Sequence, residues 1–571
     1  MNIWKIPMCL SIFILAIGTQ IPLYSEIHAD LVLINGKIIT MEDNAPFAES
    51  LAIKNGKIIA IGSNSQIKPF ISKETRIIDL EGKTAMPGLI DSHGHFGGLG
   101  ESLVKLDLRT AKNWDEIISM IKNAVKKAKP GEWILGRGWH QEKWDKPPSP
   151  GLDGLPIHDP VSELTPNNPV FLEHASGHSV FVNKRAMELA QIDAKTPNPE
   201  GGEIIKNKSG QPIGIFLENA MIPFDNAINR YRLQQSPSQI KEQKIKELML
   251  ADQACLQNGI TSFHDAGSSF QTIDLYRELF QQKKLNVRLN VMISESNEAL
   301  SKKISQYRLI GLYDNHLTVR SIKRLIDGAL GSHSAWLLQP YDSLPGSTGL
   351  NTESIQNMKE TAQLAIENGF QVCTHAIGDR ANRETLNIYE EAFKAHPDKT
   401  DLRWRIEHAQ HIDSIDIPRF GKLHIIAAMQ TIHCTSDGPW VIKRLGEKRS
   451  KEGAYPWRKL IDSQAIICNG TDVPVESVDP MANIYAAVTR KMKDGKVFFG
   501  EQCMTRLEAL RSYTINGAYA SFEENIKGSL ALGKLADIIV ISKDILTVPA
   551  EEIPQIKVLY TIIGGVVHQI R

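Results

Sequence analysis

Cysteine is scarce: there are six in 571 residues. Cys9 falls in an N-terminal apolar stretch, which leaves Cys255, Cys373, Cys434, Cys468 and Cys503, an odd set with no CxxC spacing. That pattern excludes a disulfide-built scaffold and reads as buried thiols. An excess of one charge is missing too. Lys plus Arg and Asp plus Glu stand at 65 each, and no basic block breaks the balance, so nothing favours nucleic acid or an acidic partner. Long apolar runs are absent apart from IPMCLSIFILAIG, about a dozen residues behind the amino terminus and Lys5. It is short for a spanning helix. With the small residue of IHA at 27–29 it has the layout of a secretory signal peptide, residues 1–29, and implies an exported protein, periplasmic or secreted, with no stable membrane insertion after cleavage. An uncleaved anchor, which would keep the protein at the membrane, is the alternative. Cleavage is expected after Ala29.

What is present is the composition of a globular chain, 23% charged and 42% hydrophobic, long enough for two or three packed units. LVLINGKIIT (31–40) and LAIKNGKIIA (51–60) are near-repeats, each with Asn-Gly between β-branched runs, the strongest short hairpin signal. The C-terminal stretch has the same texture in DIIVIS, KVLYTII and VVHQI. Neither end can close a large sheet alone. Residues 30–83 and 525–571 are therefore expected to pack together as one small β-sandwich.

Between them strands and helices alternate. Strands are expected at 84–93, 260–267, 286–294, 321–329, 370–378, 403–410, 424–431 and 464–472. Among the helices, one is expected to start at Ser238 and stop at Gly259, and another to start at Thr352 and stop at Gly369. Eight such units predict an α/β fold, a TIM (β/α)8 barrel over 84–505, with active-site groups at the C-terminal strand ends. The stretch from about 97 to 237 breaks the alternation and reads as an inserted subdomain after the first strand, placed to shape a substrate pocket.

DSHGHF puts His93 and His95 one residue apart at the end of the first strand. In an extended chain both imidazoles face one way and can reach a single ion. Later strands carry Lys323, His375, His408 and Asp472 near their ends. Any one of these has a bland alternative: a hydrogen-bonded histidine, or Lys323 paired with Asp327. Collected at one barrel mouth, they are hard to explain without a cation, because burying many titratable groups together is costly.

The order HxH, Lys, His, His, Asp, with PGLIDSHGH near the start and GSLALGKLADIIVI near the end, resembles the amidohydrolase superfamily. GITSFHDAG, IDGALGSHSA, THAIGDRAN, RIEHAQ, MQTIHCTSD and GTDVPVESVDP are similar to its amidohydrolase-3, YtcJ-like branch, which includes N-substituted formamide deformylases. The resemblance covers essentially the whole chain after the leader. It implies a TIM barrel with a composite β-sandwich and one or two divalent metal ions, Zn2+ foremost. It gives His93, His95 and Asp472 to one ion and His375 and His408 to a second. Lys323 matches a position that in many relatives is carbamylated and bridges the two.

The implied activity is hydrolysis of a non-peptide C–N bond, amide or formamide, in a small-molecule substrate. A bound ion lowers the pKa of its water towards about 7, and Asp472 is the catalytic group that takes the proton and passes it to the leaving nitrogen. His140, His178, Gln430 and His433 are candidates to contact the substrate and steady the oxyanion, with structural hydrogen bonding the alternative for each. Ester or lactone hydrolysis on the same centre, and a non-catalytic binding relative, are the competing readings. Trp139, Trp144 and Trp440 belong either to an aromatic-lined pocket or to the insertion's own core. Self-association into a homo-oligomer is open.

Overall fold

Most of the expected barrel strands carry an apolar run, and the run is what the sheet buries. In the computed structural model, which describes residues 27–569 except 142–143, 175–178, 200–201, 234–235 and 332, all eight form. They are β1 (Leu89–Gly94), β2 (Ile260–Ser268), β3 (Arg288–Ile293), β4 (Leu317–Leu325), β5 (Gln371–Ala376), β6 (Arg405–His408), β7 (Ile426–Met429) and β8 (Ile467–Asn469). Neighbours pair in parallel from β1 through to β8. The ring closes between β8 and β1 by single bonds instead of a ladder: the Asp472 N–H donates to the His93 carbonyl at 2.7 Å. The expected leader lies outside the described residues up to position 26. Among the described residues no helix is long and apolar enough to cross a membrane.

The first expected strand, 84–93, is two strands. Thr84–Pro87 pairs with Lys37–Ile39 and Ile538–Ile541 in the terminal sandwich, whereas β1 belongs to the barrel. The break falls at Gly88, where a Cβ would lie 2.2 Å from Thr261 Oγ1. Only glycine lets the chain cross from one sheet to the other so close to β2.

The two Asn-Gly repeats also part company. Ser50–Lys54 and Lys57–Gly62 form the expected hairpin. Leu31–Ile34 and Lys37–Ile39 do not pair; the first joins Ser50–Lys54 and Arg76–Asp79, the second joins Thr84–Pro87. Asn35 is tied by its side chain to Asp79 at 2.9 Å, so this turn hands the chain from one sheet to the other. Tertiary pairing overrides an identical local signal. The two sheets bury Leu33, Ile38, Leu51 and Ile53 against Leu530, Ile538, Val540 and Ile562, so both ends of the chain share one core.

Helix starts shift by a residue pair. Ser236, not Ser238, caps the helix Pro237–Gln257, because Pro237 suits the first helical position and Gln239 returns the bond to Ser236. Ser354, not Thr352, caps Ile355–Asn368, while the Thr352 hydroxyl donates to the Leu325 carbonyl at 2.9 Å. Gly369 ends that helix in the left-handed region, as read.

The insertion after β1 carries its own six-stranded sheet, from Leu106–Asp107 through Ile134–Trp139, Val170–His174 and Ser179–Val182 to Pro212–Glu218 and Gly202–Lys206. Trp114, Trp139, Leu172 and Phe181 fill one side, with Trp144 packed against them. The Trp139 indole donates to the Leu172 carbonyl at 2.8 Å. These tryptophans are the insertion's core and not a pocket wall. Cys255, Cys373, Cys434 and Cys468 are buried free thiols and Cys503 is half-buried.

Candidate active site

β1 delivers His93 from its last turn of pleat and His95 just beyond it. Gly94 between them is required, since a Cβ there would meet the Phe263 ring at 2.5 Å. Both Nε2 atoms converge on Asp472 Oδ1, at 3.6 Å from His93 and 3.2 Å from His95. Asp472 sits past β8 at φ +56°, and His408 ends β6 at φ +72°. Left-handed backbone is unfavourable for such residues and concentrates at functional sites. Asp472 is held there by its N–H bond to His93 and by the preceding Thr471, whose hydroxyl donates to Asp91 at 2.6 Å.

His408 donates from one ring nitrogen to Gln430 Oε1 at 2.7 Å. Its ring centroid lies 4.7 Å from that of His93 and 4.4 Å from that of His375. Ligand atoms that approach within 4.8 Å of one another form two trios among the described residues, His93/His95/Asp472 and His408/His433/Asp472, which share Asp472. His375 joins through its ring contact with His408, and its Nε2 lies 3.5 Å from Asp327 Oδ1. Lys323 is buried on β4, while the next residue, Arg324, points the other way to Thr361 and Asn297. Strand alternation thus separates two adjacent cations. The alternative pairing of Lys323 with Asp327 is not what the structure has: Asp327 accepts the N–H groups of Trp336, Ile377 and Gly378 at 2.8–3.0 Å.

The electrostatics suit a cation. Burial and the charge of Lys323 push His93 down to about 4 and His375 to about 3; burial also holds His408 well below its ordinary value. These imidazoles are neutral, the form that ligates. Burial lowers Lys323 as well. For Asp472 burial works towards neutrality, but His95, its Nε2 3.2 Å away, leads the effects that outweigh it and keep the carboxyl well below the usual range. His93 Nε2, His375 Nε2, His433 Nε2 and Asp472 Oδ1 are all buried with no hydrogen-bond partner. An orphaned buried polar atom is costly. The atoms of His93, His375 and Asp472, around the barrel mouth, fit a divalent metal ion, which would satisfy them.

The four expected substrate contacts fare differently. Gln430 is 2% exposed, with its carbonyl oxygen on His408 and its amide donating to the Ala428 carbonyl at 3.3 Å. It therefore orients a histidine. His433 is at the mouth, Nε2 3.8 Å from Asp472 Oδ2. His140 lies in the insertion, its ring 4.6 Å from that of His174. His178 falls outside the described residues. Trp440 packs near Gly331, 3.3 Å from where a Cβ would stand.

Sequence reading missed the layer beneath. Arg405 and Glu407 are buried side by side on β6: the guanidinium donates to both carboxylate oxygens at 2.7 and 2.8 Å and to the Ser92 carbonyl at 2.7 Å. Arg405 opposes the effect of burial and draws the Glu407 carboxyl down to about 2, and Glu407 accepts a bond from His93 Nδ1. The signal was available in RIEH. Residues i and i+2 share a face, so Arg405 and Glu407 must enter the barrel together, an arrangement only a paired charge tolerates.

Residues 76–568 match the amidohydrolase family. The chain is 33% identical over 552 residues, 94% of its length and 91% of the relative's, to the Arabidopsis thaliana protein LONG AFTER FAR-RED 3. It is 26% identical over 545 residues to the N-substituted formamide deformylase of Arthrobacter pascens, covering 94% and 98% of the two chains. Its fold superposes, with a TM-score of 0.73 and 28% identity, on the crystal structure of an uncharacterized metal-dependent hydrolase from Pyrococcus horikoshii OT3, covering 91% of this chain and 99% of that one. By this match and by the barrel that carries the converging histidines and Asp472, the chain belongs to the amidohydrolase family.

Proposed function

We propose that the protein is a metal-dependent hydrolase that cleaves a non-peptide C–N bond, amide or formamide, of a small molecule. The observation that carries this is Asp472, ionised, buried and shared between two trios of donor atoms. His93, His95 and Asp472 would hold one divalent ion, Zn2+ foremost, and His375 and His408 a second, with a carbamylated Lys323 between them. Such an ion supplies Lewis acidity and an activated water at neutral pH. The chain's own part is proton handling and orientation. Asp472 takes a proton from the attacking water and delivers it to the leaving nitrogen, since an amine leaves poorly unless protonated. Glu407 and Gln430 hold His93 and His408 by their far ring nitrogens, so the near ones stay fixed on the site. The deformylase among the relatives supports an amide-type electrophile.

We further propose export, and revise the expected cleavage after Ala29 to one ahead of it. The Ala29 N–H donates to the Phe70 carbonyl at 2.8 Å and its carbonyl accepts the Thr75 hydroxyl at 2.8 Å, so the mature fold makes use of this residue. N-terminal sequencing of the processed protein checks the point; a start at Asp30 would refute it.

The test of the activity is metal content by elemental analysis, then turnover of formamides, N-acyl amino acids and esters by the wild type and Asp472→Ala. We expect one or two ions per chain and C–N cleavage that the substitution abolishes. A metal-free wild type, or turnover confined to esters, would sink the proposal.

A further inference from the structure

Distance alone groups His433 with His408 and Asp472 as a possible ligand trio. The hydrogen bonds behind the rings separate them. A neutral imidazole carries one N–H, and the partner of one nitrogen decides what the other offers. His93 Nδ1 faces the Glu407 carboxylate, which only accepts. His408 Nδ1 faces Gln430 Oε1, and that amide is oriented independently by its donation to the Ala428 carbonyl. Both histidines therefore carry the proton on Nδ1 and present a bare Nε2 lone pair to the site, as a metal requires. His433 is wired the other way: the Gln410 amide nitrogen, a donor, lies 3.0 Å from its Nδ1. Its proton is then on Nε2, the buried atom without a hydrogen-bond partner that faces Asp472 Oδ2 at 3.8 Å.

From this wiring we infer that His433 is not a metal ligand but the N–H donor that receives the substrate's carbonyl oxygen, and that Gln410 is the positioning residue that sets its tautomer. The inference rests on the hydrolase reading above and names the group that stabilises the oxyanion within it. His433 lies in the first turn of the helix Thr431–Gly453, so the helix's positive end backs the same developing negative charge. Gln410 is 4% exposed and reaches the substrate only through His433.

The test compares His433→Ala, His433→Asn, Gln410→Glu and His408→Ala. Metal stoichiometry and affinity are read by elemental analysis and chelator competition, kcat and KM on the best amide substrate, and ring tautomers by 15N spectra of histidine-labelled protein. His433→Ala should keep the wild-type metal content and affinity within a few-fold while kcat falls roughly 10²-fold. Asn, which offers an amide N–H, should recover part of the loss. Gln410→Glu places an acceptor on Nδ1 and should lower kcat with metal content and KM little changed. His408→Ala should lose metal. The 15N spectrum should show His433 protonated on Nε2 and His93 and His408 on Nδ1. Metal loss in His433→Ala comparable to that in His408→Ala, or a His433 protonated on Nδ1, would overturn the inference. A wild type that binds no metal would overturn the hydrolase reading instead, and the tautomer spectrum would still decide how Gln410 sets His433.

Discussion

Two buried polar clusters of this molecule look alike in composition and differ in bookkeeping. Where barrel and sandwich meet, Arg288 of β3 and Asp537 bond at 2.7 and 3.0 Å; Arg288 also donates to the Asp314 carbonyl at 2.8 Å, and Asp537 accepts the Gly564 N–H at 2.9 Å. Partners surround that pair on both sides. At the barrel mouth His93, His375, His433 and Asp472 each leave a buried atom without a hydrogen bond, and two of the residues around them stand in left-handed backbone. A structural ion pair is completed by the fold. A functional site is left for something else to complete.

Substitutions should separate the two clusters. The largest effect is expected at the mouth: Asp472→Ala should lower kcat/KM by roughly 10³-fold or more with little change in the thermal unfolding of the metal-free protein, measured by kinetics and calorimetry side by side. At the joint, Asp537→Ala should cost about 3–5 kcal/mol of stability, because it strands a buried guanidinium, while turnover per folded molecule is unchanged; denaturant titration with active-site counting reads both. Glu407→Gln should weaken metal binding by about 10–100-fold, seen in chelator competition, since Arg405 then lacks its counter-charge and one oxygen is left to serve both Arg405 and His93.

The smallest effect concerns pH. Burial opposes ionisation of Asp537, but the charge and hydrogen bonds of Arg288 outweigh it and hold the carboxyl below its ordinary value. A lowered carboxylate contributes stability that is present above its unfolded pKa of about 3.9 and is lost as pH falls through the folded value. Asp537→Asn should therefore show a shallower loss of stability than the wild type on acidification below about pH 4, with parallel curves above it. A difference appearing only near neutrality would contradict this account of the joint.

How far the sequence reached follows the same division. Strand positions were legible because most barrel strands carry a compact apolar run, and the candidate donors because His93, His95, His408 and Asp472 stand at or just past strand ends. What escaped depended on partners distant in the chain. Asn35-Gly36 and Asn55-Gly56 are locally equivalent, and only the sheets around them make one a crossover and the other a hairpin. Gly88 gave no sign that one apolar segment serves two sheets. Gln430 gave no sign that its carbonyl oxygen would sit on His408. Glu407, 314 positions from His93, could be suspected from RIEH, but its partner could not be named.

The central claim is that the orphaned atoms of His93, His375 and Asp472 at the barrel mouth are metal ligands and that of His433 is not. Anomalous diffraction from crystals of the protein as purified, collected at the edge of the metal found by elemental analysis, tests it most directly. The account predicts a peak bounded by His93, His95 and Asp472, with a second beside His375 and His408 if the site is binuclear and no bond from either to His433. Full protein occupancy with no anomalous peak among these residues, in crystals that also show hydrogen-bonded water on the orphaned atoms of His93, His375 and Asp472, would contradict it.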